Sequence, residues 1–527
     1  MIRFRRVIEF LSRDEPIDSL VAFRIAFGVF AAAWAWDYLA SGRVTDLYVR
    51  PEFHFTYSLF PWVKPWSGDG MYWHFITLLI AALAITAGFL YRLSSVTFAI
   101  GFTYFFLIDR ANYQNHYYLM VILAWSLVAM PLHKSLSIDA MRRPSIRSIT
   151  LPAWALWLTR FHIALPYFFG GVSKLTADWL LGEPMNLMLT TGPRLPIVGS
   201  LLAIPGMGLL FSYGGLIFDL TIVPLLLWPK TRLYAYIGCI AFHLMNAALF
   251  DIHVFPWLMI AATTVFFEPD WPRRFWLMLT STRPLIAEGT GHPSGDRLSA
   301  GVASEDLPAT ILFHGQASSS TPPSAAPETR VAPWWLVLLL LHVSLQVALP
   351  FRHRLYEGNT AWTERGHLFA WRMMLRGKTG GIRIYVTDPK AKRSWLVDFR
   401  GLLSQEQFGR FPRDPRMVLQ MAKRIGELER EFHGREVEVH ALVLLSLSGR
   451  KPELMIDPNR DLTKVPDSGF EWTRAVPDWI LPQTEPLRSD PWVEPLENWE
   501  RLVELPPLRF LETAPLRNNP SPARPQG

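Results

Sequence analysis

The sequence predicts a polytopic α-helical membrane protein, with about nine transmembrane helices and a C-terminal extramembrane domain of β-rich or α+β type. Three observations predict it. Of 527 residues, 50% are hydrophobic and only 18% charged, against about 25% charged in average soluble domains. Apolar runs long enough to cross a ~30 Å hydrocarbon core recur along the chain as far as Pro350. Beyond that point the pattern changes to strand-like alternation and one helix-spaced amphipathic stretch.

The expected spans are 19–40, 72–90, 94–109, 116–132, 152–173, 207–228, 233–250 and 253–267, eight helices within a bundle over residues 1–284, and then 334–350 as the ninth. The intervening residues 285–333, rich in Gly, Ser, Pro and Ala (EGTGHPSGDRLSAG, ASSSTPPSAAPETR), read as a disordered cytoplasmic linker. With the N-terminus inside, the inner segments hold sixteen Lys and Arg and the outer loops five, leaving aside Lys174 at a helix edge, the bias that orients membrane proteins. Nine spans then place the C-terminus outside. No cleavable signal peptide is expected, because the N-terminus is charged and the first apolar run has full spanning length.

Residues 351–482 read as an extracytoplasmic domain. GGIRIYVTD and RSWLVDF pair as a hairpin, DPRMVLQMAKRIGELEREF has helical spacing and VEVHALVLLSL reads as a strand. The proline-dense residues 483–527 extend over the surface or stay disordered. The formal charge of +7 is largely accounted for by the inner loops, so nucleic acid is not an expected partner. The single cysteine, Cys239, excludes an intrachain disulfide and reads as a core residue.

Polar groups inside spans are costly and call for a functional hypothesis. Asn115 and His116 open the fourth span at its outer end, and Lys174 closes the fifth at the same level. His243 and Asn246, three residues apart on one helix face, lie near the outer end of the seventh span; His253 starts the eighth, and His353 follows the ninth. One outward-facing polar pocket, capped by the C-terminal domain, accounts for all of them. Each has a plainer reading: a lysine at a span's end snorkels to headgroups, and an interfacial histidine bonds a neighbouring helix. Arg24, Arg160, His162 and Asp219 read as structural, paired with one another or with backbone carbonyls. The chain has no HExxH, clustered Cys/His, GxGxxG, Walker loop or GxSxG, so neither a metal nor a nucleotide is expected.

In DSLVAFRIAFG, RANYQNHYYL, GGVSKLTADW and FHLMNAALFDIHVFPW, and further on in LPFRHRLYEGNTAWTERGHLFAWRMMLR, LSLSGR, LMIDPNRDL and WTRAVPDWILP, the chain resembles the vitamin K-dependent γ-glutamyl carboxylase family. Order and spacing of these blocks agree over most of its length. The resemblance implies an enzyme that oxygenates vitamin K hydroquinone with O2 to the epoxide. The strong base so generated takes a γ-proton from a peptide glutamate, and CO2 adds to the carbanion. It implies Lys174 as the base that starts oxygenation and His116 beside it as a catalytic group. Asn115, His243, Asn246 and His353 hold the vitamin or substrate, and Gly170 and Gly171 give a neighbouring helix or a flat ring room to approach. The implied partners are a glutamate-containing peptide or protein and membrane lipid. Ser173 and Ser448 stand where animal carboxylases have lysine and asparagine, and the luminal disulfide and longer C-terminal region of those enzymes are missing. The last two of these departures point to a bacterial inner-membrane member. Together the departures leave open a quinol epoxidase without protein carboxylation, or a non-enzymatic quinone- or lipid-binding protein.

Overall fold

A computed structural model describes residues 2–191, 199–202, 204–250, 252–280, 332–399, 401–467 and 473–488, together with 492, 494, 498–499 and 503–517. The linker expected at 285–333 falls outside these except for its last two residues, and the proline-rich tail is described only in part.

The first half is helical: α1 (Ile2–Ser12), α2 (Asp18–Ala40), α3 (Gly70–Ala87), α4 (Tyr91–Ile108), α5 (Asn115–Ala129), α6 (Ile138–Arg142) and α7 (Ala153–Ser173). Three short helices, α8 (Ala177–Leu180), α9 (Met185–Thr191) and α10 (Gly199–Leu202), lead to α11 (Met207–Leu227), α12 (Arg232–Leu249), α13 (Phe255–Thr263) and α14 (Trp271–Thr280). A two-stranded ribbon, β1 (Asp14–Pro16) with β2 (Thr150–Pro152), ties the start of the bundle to the entry of α7.

Five helices among the described residues are long and apolar enough to cross a membrane: α2, α3, α4, α11 and Trp334–Leu355. The other four expected spans are helical but fall short in two different ways. Asn115–Ala129 and Phe255–Phe266 are apolar but shorter. The helices α7 and α12 reach 21 and 18 residues, but Arg160 and His162 interrupt the first, and Arg232, His243 and Asn246 the second.

Several of the polar groups within the helices find partners inside the protein, as a bilayer favours. Arg160 donates to the carbonyls of Val265 and Phe267 at 2.9 and 3.0 Å. Arg24 donates to those of Leu132 and Leu136 at 2.8 and 2.6 Å. Ser126 gives its hydroxyl proton to the Ile122 carbonyl, so it accepts from His162 Nδ1–H at 3.0 Å. His162 Nε2 is then left to accept from His342 Nε2–H at 2.8 Å, joining α7 to α15 (Pro333–Ala348). An aromatic cluster fills the centre: Trp34 and Tyr38 of α2 pack on Phe75 of α3, Phe105 of α4 and Tyr117 of α5. Where α2 crosses α3 there is no space for a side chain, since a Cβ on Gly28 would lie 2.8 Å from the Ala82 carbonyl.

After α15 come α16 (Thr360–Thr363), β3 (Lys378–Asp388), β4 (Arg393–Leu396), α17 (Gln405–Arg410), α18 (Pro415–His433), β5 (Glu438–Leu447) and β6 (Glu453–Leu454). The strands form an antiparallel sheet in the order β4-β3-β5-β6, with Lys378 opposite Leu447 and Thr387 opposite Glu438. Met417, Val418, Met421 and Ile425 of α18 belong to one core with Ile384, Val386, Ala441 and Val443 of the sheet. Asp414 caps α18 at its start and Gly434, at φ 62°, ends it.

This unit is fastened to the loops at one end of the bundle. Arg110 pairs with Asp414, both buried, at 3.0 Å. Gln407 donates to Asp109 at 2.6 Å and to the Phe53 carbonyl at 2.8 Å, and Arg410 to the Ala111 carbonyl at 2.8 Å. Because Gly28 is a contact point between helices, Gly28→Val is expected to lower stability by about 1–3 kcal/mol. The check is the unfolding midpoint in detergent; an unchanged midpoint would show that α2 and α3 are not packed there.

Candidate active site

A cavity of about 700 Å³ opens where the bundle meets the extramembrane unit. Asn115, His116, Lys174, His243 and Asn246 all line it, drawn from α5, the end of α7, and α12. Arg372 and Arg376 reach it from the segment before β3. The remaining wall is apolar, formed chiefly by Leu210, Phe211 and Phe218 of α11 and by Phe242, Met245 and Leu249 of α12.

The polar wall is built by local constraints. Gln114 is extended and α5 begins at Asn115, so its first side chains project from the helix start. Tyr113 receives the Phe369 backbone N–H at 2.7 Å and passes its own proton to Asn115 Oδ1 at 3.0 Å. That leaves the Asn115 amide NH2 free to donate elsewhere. The His116 ring is held by Phe255 on one side, with centroids 5.1 Å apart, and by Tyr117 at 4.5 Å. His243 Nε2 meets the Tyr167 hydroxyl at 2.7 Å, while its buried Nδ1 has no hydrogen-bond partner among the described residues.

Lys174 ends α7. Its Nζ bonds directly to Asp219 Oδ2 of α11, with both residues buried, and lies 5.1 Å from the centre of the Trp179 ring. Gly170 and Gly171 are among the residues that make this pair possible. A Cβ on Gly170 would sit 3.2 Å from Asp219 Oδ2 and 2.9 Å from Met373, and one on Gly171 would sit 2.7 Å from Leu220. Neither glycine lines the cavity; both receive α11.

His353 lies elsewhere, in a side pocket of about 100 Å³ shared with Ser173 and Arg372. His253 accepts a hydrogen bond from Arg43 at 2.7 Å and stays outside the cavity lining. Of the four groups read as structural, Arg24, Arg160 and His162 take carbonyl, hydroxyl or imidazole partners away from the cavity, whereas Asp219 enters it. Its signal was present in GLIFDLTIV, an acid alone in an apolar span. Tyr167, Trp179, Arg372 and Arg376 carried no comparable signal. Among the described residues no group of three or more His, Cys, Asp or Glu side chains has the arrangement of a metal site.

Beside Arg372 and Arg376, outside the spans, His367 is buried with neither ring nitrogen bonded to a described residue. Burial pushes its imidazole well below the ordinary value, and Arg376, Arg372 and Lys378 push the same way. The folded protein therefore keeps His367 neutral where the unfolded chain, with a pKa near 6.5, takes up a proton. This stability is fully present above about pH 6.5 and is lost as the pH falls, by about 1.4 kcal/mol per pH unit. The unfolding midpoint is expected to drop between about pH 7 and 5, and His367→Phe to flatten that slope. Equal slopes in both proteins would rule out His367 as its source.

Residues 12–271 match the family model of the HTTM domain, and residues 331–486 match that of the vitamin K-dependent gamma-carboxylase lumenal domain. No solved structure matches the chain.

Proposed function

The chain belongs to the γ-glutamyl carboxylase family, and from that premise we propose that it oxygenates vitamin K hydroquinone to the epoxide and carboxylates glutamate in a peptide or protein with CO2. In this reading nine helices span the membrane with the N-terminus cytoplasmic. The C-terminal unit, residues 351–482, is extracytoplasmic, and residues 285–333 link the bundle to the ninth span. The family match extends across both halves of the chain, and the Lys/Arg distribution agrees with this orientation.

One observation carries the reading: a buried lysine paired with a buried acid opens onto a largely apolar cavity that also holds Asn115, His116 and His243. The space suits a quinol. Phe218 and Phe242, stacked 4.1 Å apart, and their apolar neighbours offer surface for the ring and the start of a prenyl tail, while the polar wall meets the hydroxyl groups. When bound, the quinol supplies the reaction with oxygen that yields the strong base.

The protein's own part is to move one proton and hold charge. An amine accepts a proton only when neutral, and a carboxylate in contact favours the ammonium. In a water-poor cavity, however, separate ions lose their hydration, so an amine beside a carboxylic acid competes with the ion pair. With the shared proton on Asp219, Lys174 Nζ is free to take the phenolic proton. Asn115, whose NH2 is left available by Tyr113, and His116 then donate toward the negative oxygen. His243 is positioned by Tyr167 to bond a polar group of the same ligand.

The test supplies vitamin K hydroquinone, oxygen, labelled bicarbonate and a glutamate-rich peptide to the purified protein, with epoxide and fixed label assayed separately. Both products are expected. Lys174→Ala should lose about 10²–10⁴-fold in epoxide formation, and added small amines should restore part of it. Asp219→Asn should reduce the rate without abolishing binding of the quinol. Epoxide without label would support a quinol epoxidase. Neither product from the wild type, or full activity in Lys174→Ala, would contradict the reading.

A further inference from the structure

Seven arginines are buried among the described residues: Arg24, Arg110, Arg232, Arg365, Arg372, Arg416 and Arg450. Six have partners. Arg24 and Arg365 donate to backbone carbonyls, Arg110 and Arg450 to Asp414 and Asp178, Arg232 to Glu268, and Arg416 to the Asp467 carbonyl. Arg372 has no hydrogen bond or ion pair with any described residue, and its Nε is fully enclosed. The acid that acts on it electrostatically, Glu364, is already bonded to Lys378 and to Arg376, at 2.7 Å each. A planar cation removed from water without a counter-charge is costly unless something arrives to face it.

Its position tells what arrives. Arg372 lines both the large cavity and the side pocket, and the residues on either side of the α7 terminus divide between them: Lys174 faces the first, Ser173 the second. The side pocket is much the smaller of the two, about 100 Å³ against about 700 Å³. Of the two, it is the one suited to a small molecule, and the large cavity is the one suited to a quinone ring and its tail. Arg354 is a second cation in its lining. His353 is committed through Nδ1–H to the Pro350 carbonyl at 2.7 Å, and Ser173 through its hydroxyl to the Gly170 carbonyl at 2.9 Å. Neither spends its bond on Arg372.

We propose that the side pocket is the carbon dioxide subsite, and that the Arg372 guanidinium receives the negative charge that forms on oxygen as the glutamate γ-carbanion adds to CO2. This rests on the carboxylase reading above. The carbanion's electron pair makes the new C–C bond, one C=O π pair moves onto oxygen, and nothing leaves. The product is a carboxylate, the planar two-oxygen group that a guanidinium fork matches. The guanidinium acts when charge appears, which is where a preorganised donor contributes most.

Two measurements test it. In the coupled assay, Arg372→Gln should raise the bicarbonate concentration needed for half-maximal label fixation and lower the ratio of fixed label to epoxide by about 10²-fold. Arg372→Lys should fall between, and added guanidinium should raise the ratio in Arg372→Ala. Independently of turnover, bicarbonate or formate should slow modification of Arg372 by phenylglyoxal in the wild type, read by peptide mass spectrometry. A wild type without epoxide or label would overturn the carboxylase reading, while the protection measurement still decides whether Arg372 holds a small carboxylate. An unchanged ratio and bicarbonate dependence in Arg372→Gln would overturn the subsite. So would protection of Arg372 by a glutamate peptide but not by bicarbonate or formate, which would assign the guanidinium to the peptide's own carboxylate.

Discussion

A lysine and an aspartate that meet between membrane helices must stay together, because either ion left alone in a water-poor interior is heavily penalised. The contact between Lys174 and Asp219 therefore fixes how α7 and α11 lie against each other. Gly170 and Gly171 are the cost of that arrangement in sequence: any side chain there would strike Asp219, Met373 or Leu220. Once the two helices are set, α11 and α12 supply the apolar wall, and α5 brings Asn115 and His116 to the other side. The pair is structural and chemical at once. In the function proposed above the shared proton moves between the partners, and only the state with the proton on Asp219 leaves an amine able to act as a base.

The extramembrane unit completes the site. Arg450 grips Asp178 with two bonds of 2.8 Å, four residues beyond Lys174 in the chain. Arg110 and Asp414 join the loop before α5 to the start of α18. These contacts hold the segment from Trp362 to Arg376 over the cavity, with Trp371 buried against Tyr118 and Phe369 accepted by Tyr113. Polar chemistry thus comes from the bundle on one side and cationic chemistry from the attached unit on the other. A membrane-dissolved ligand and a water-borne peptide would each need one of those faces.

Much of this was legible in the sequence, for identifiable reasons. Alternation in GGIRIYVTD and RSWLVDF gave the β3–β4 hairpin, and the amphipathic spacing of DPRMVLQMAKRIGELEREF gave α18, because both patterns record which face is buried. Asn115, His116, Lys174, His243 and Asn246 converged on one cavity, whereas His253 and His353, read as part of the same pocket, lie outside its lining. Span lengths were less legible: α5 and α13 are shorter than their apolar runs, since hydropathy does not register where a helix stops. Asp219 was visible as an intramembrane acid, but its partner was not, because the pairing depends on the crossing of two helices distant in sequence. Arg372 was hidden more deeply. What distinguishes it is the lack of a partner among the described residues after burial, a property of the folded chain alone.

The account turns on whether the cavity ionises a quinol before any oxygen arrives. The direct measurement is the anaerobic absorption spectrum of vitamin K hydroquinone bound to the purified protein. Wild type is predicted to show the red-shifted aryloxide band at a pH where the free hydroquinone is neutral, and Lys174→Ala to bind the same ligand without that band. A bound quinol that remains neutral in the wild type, or one that ionises equally in Lys174→Ala, would contradict the role given to the lysine.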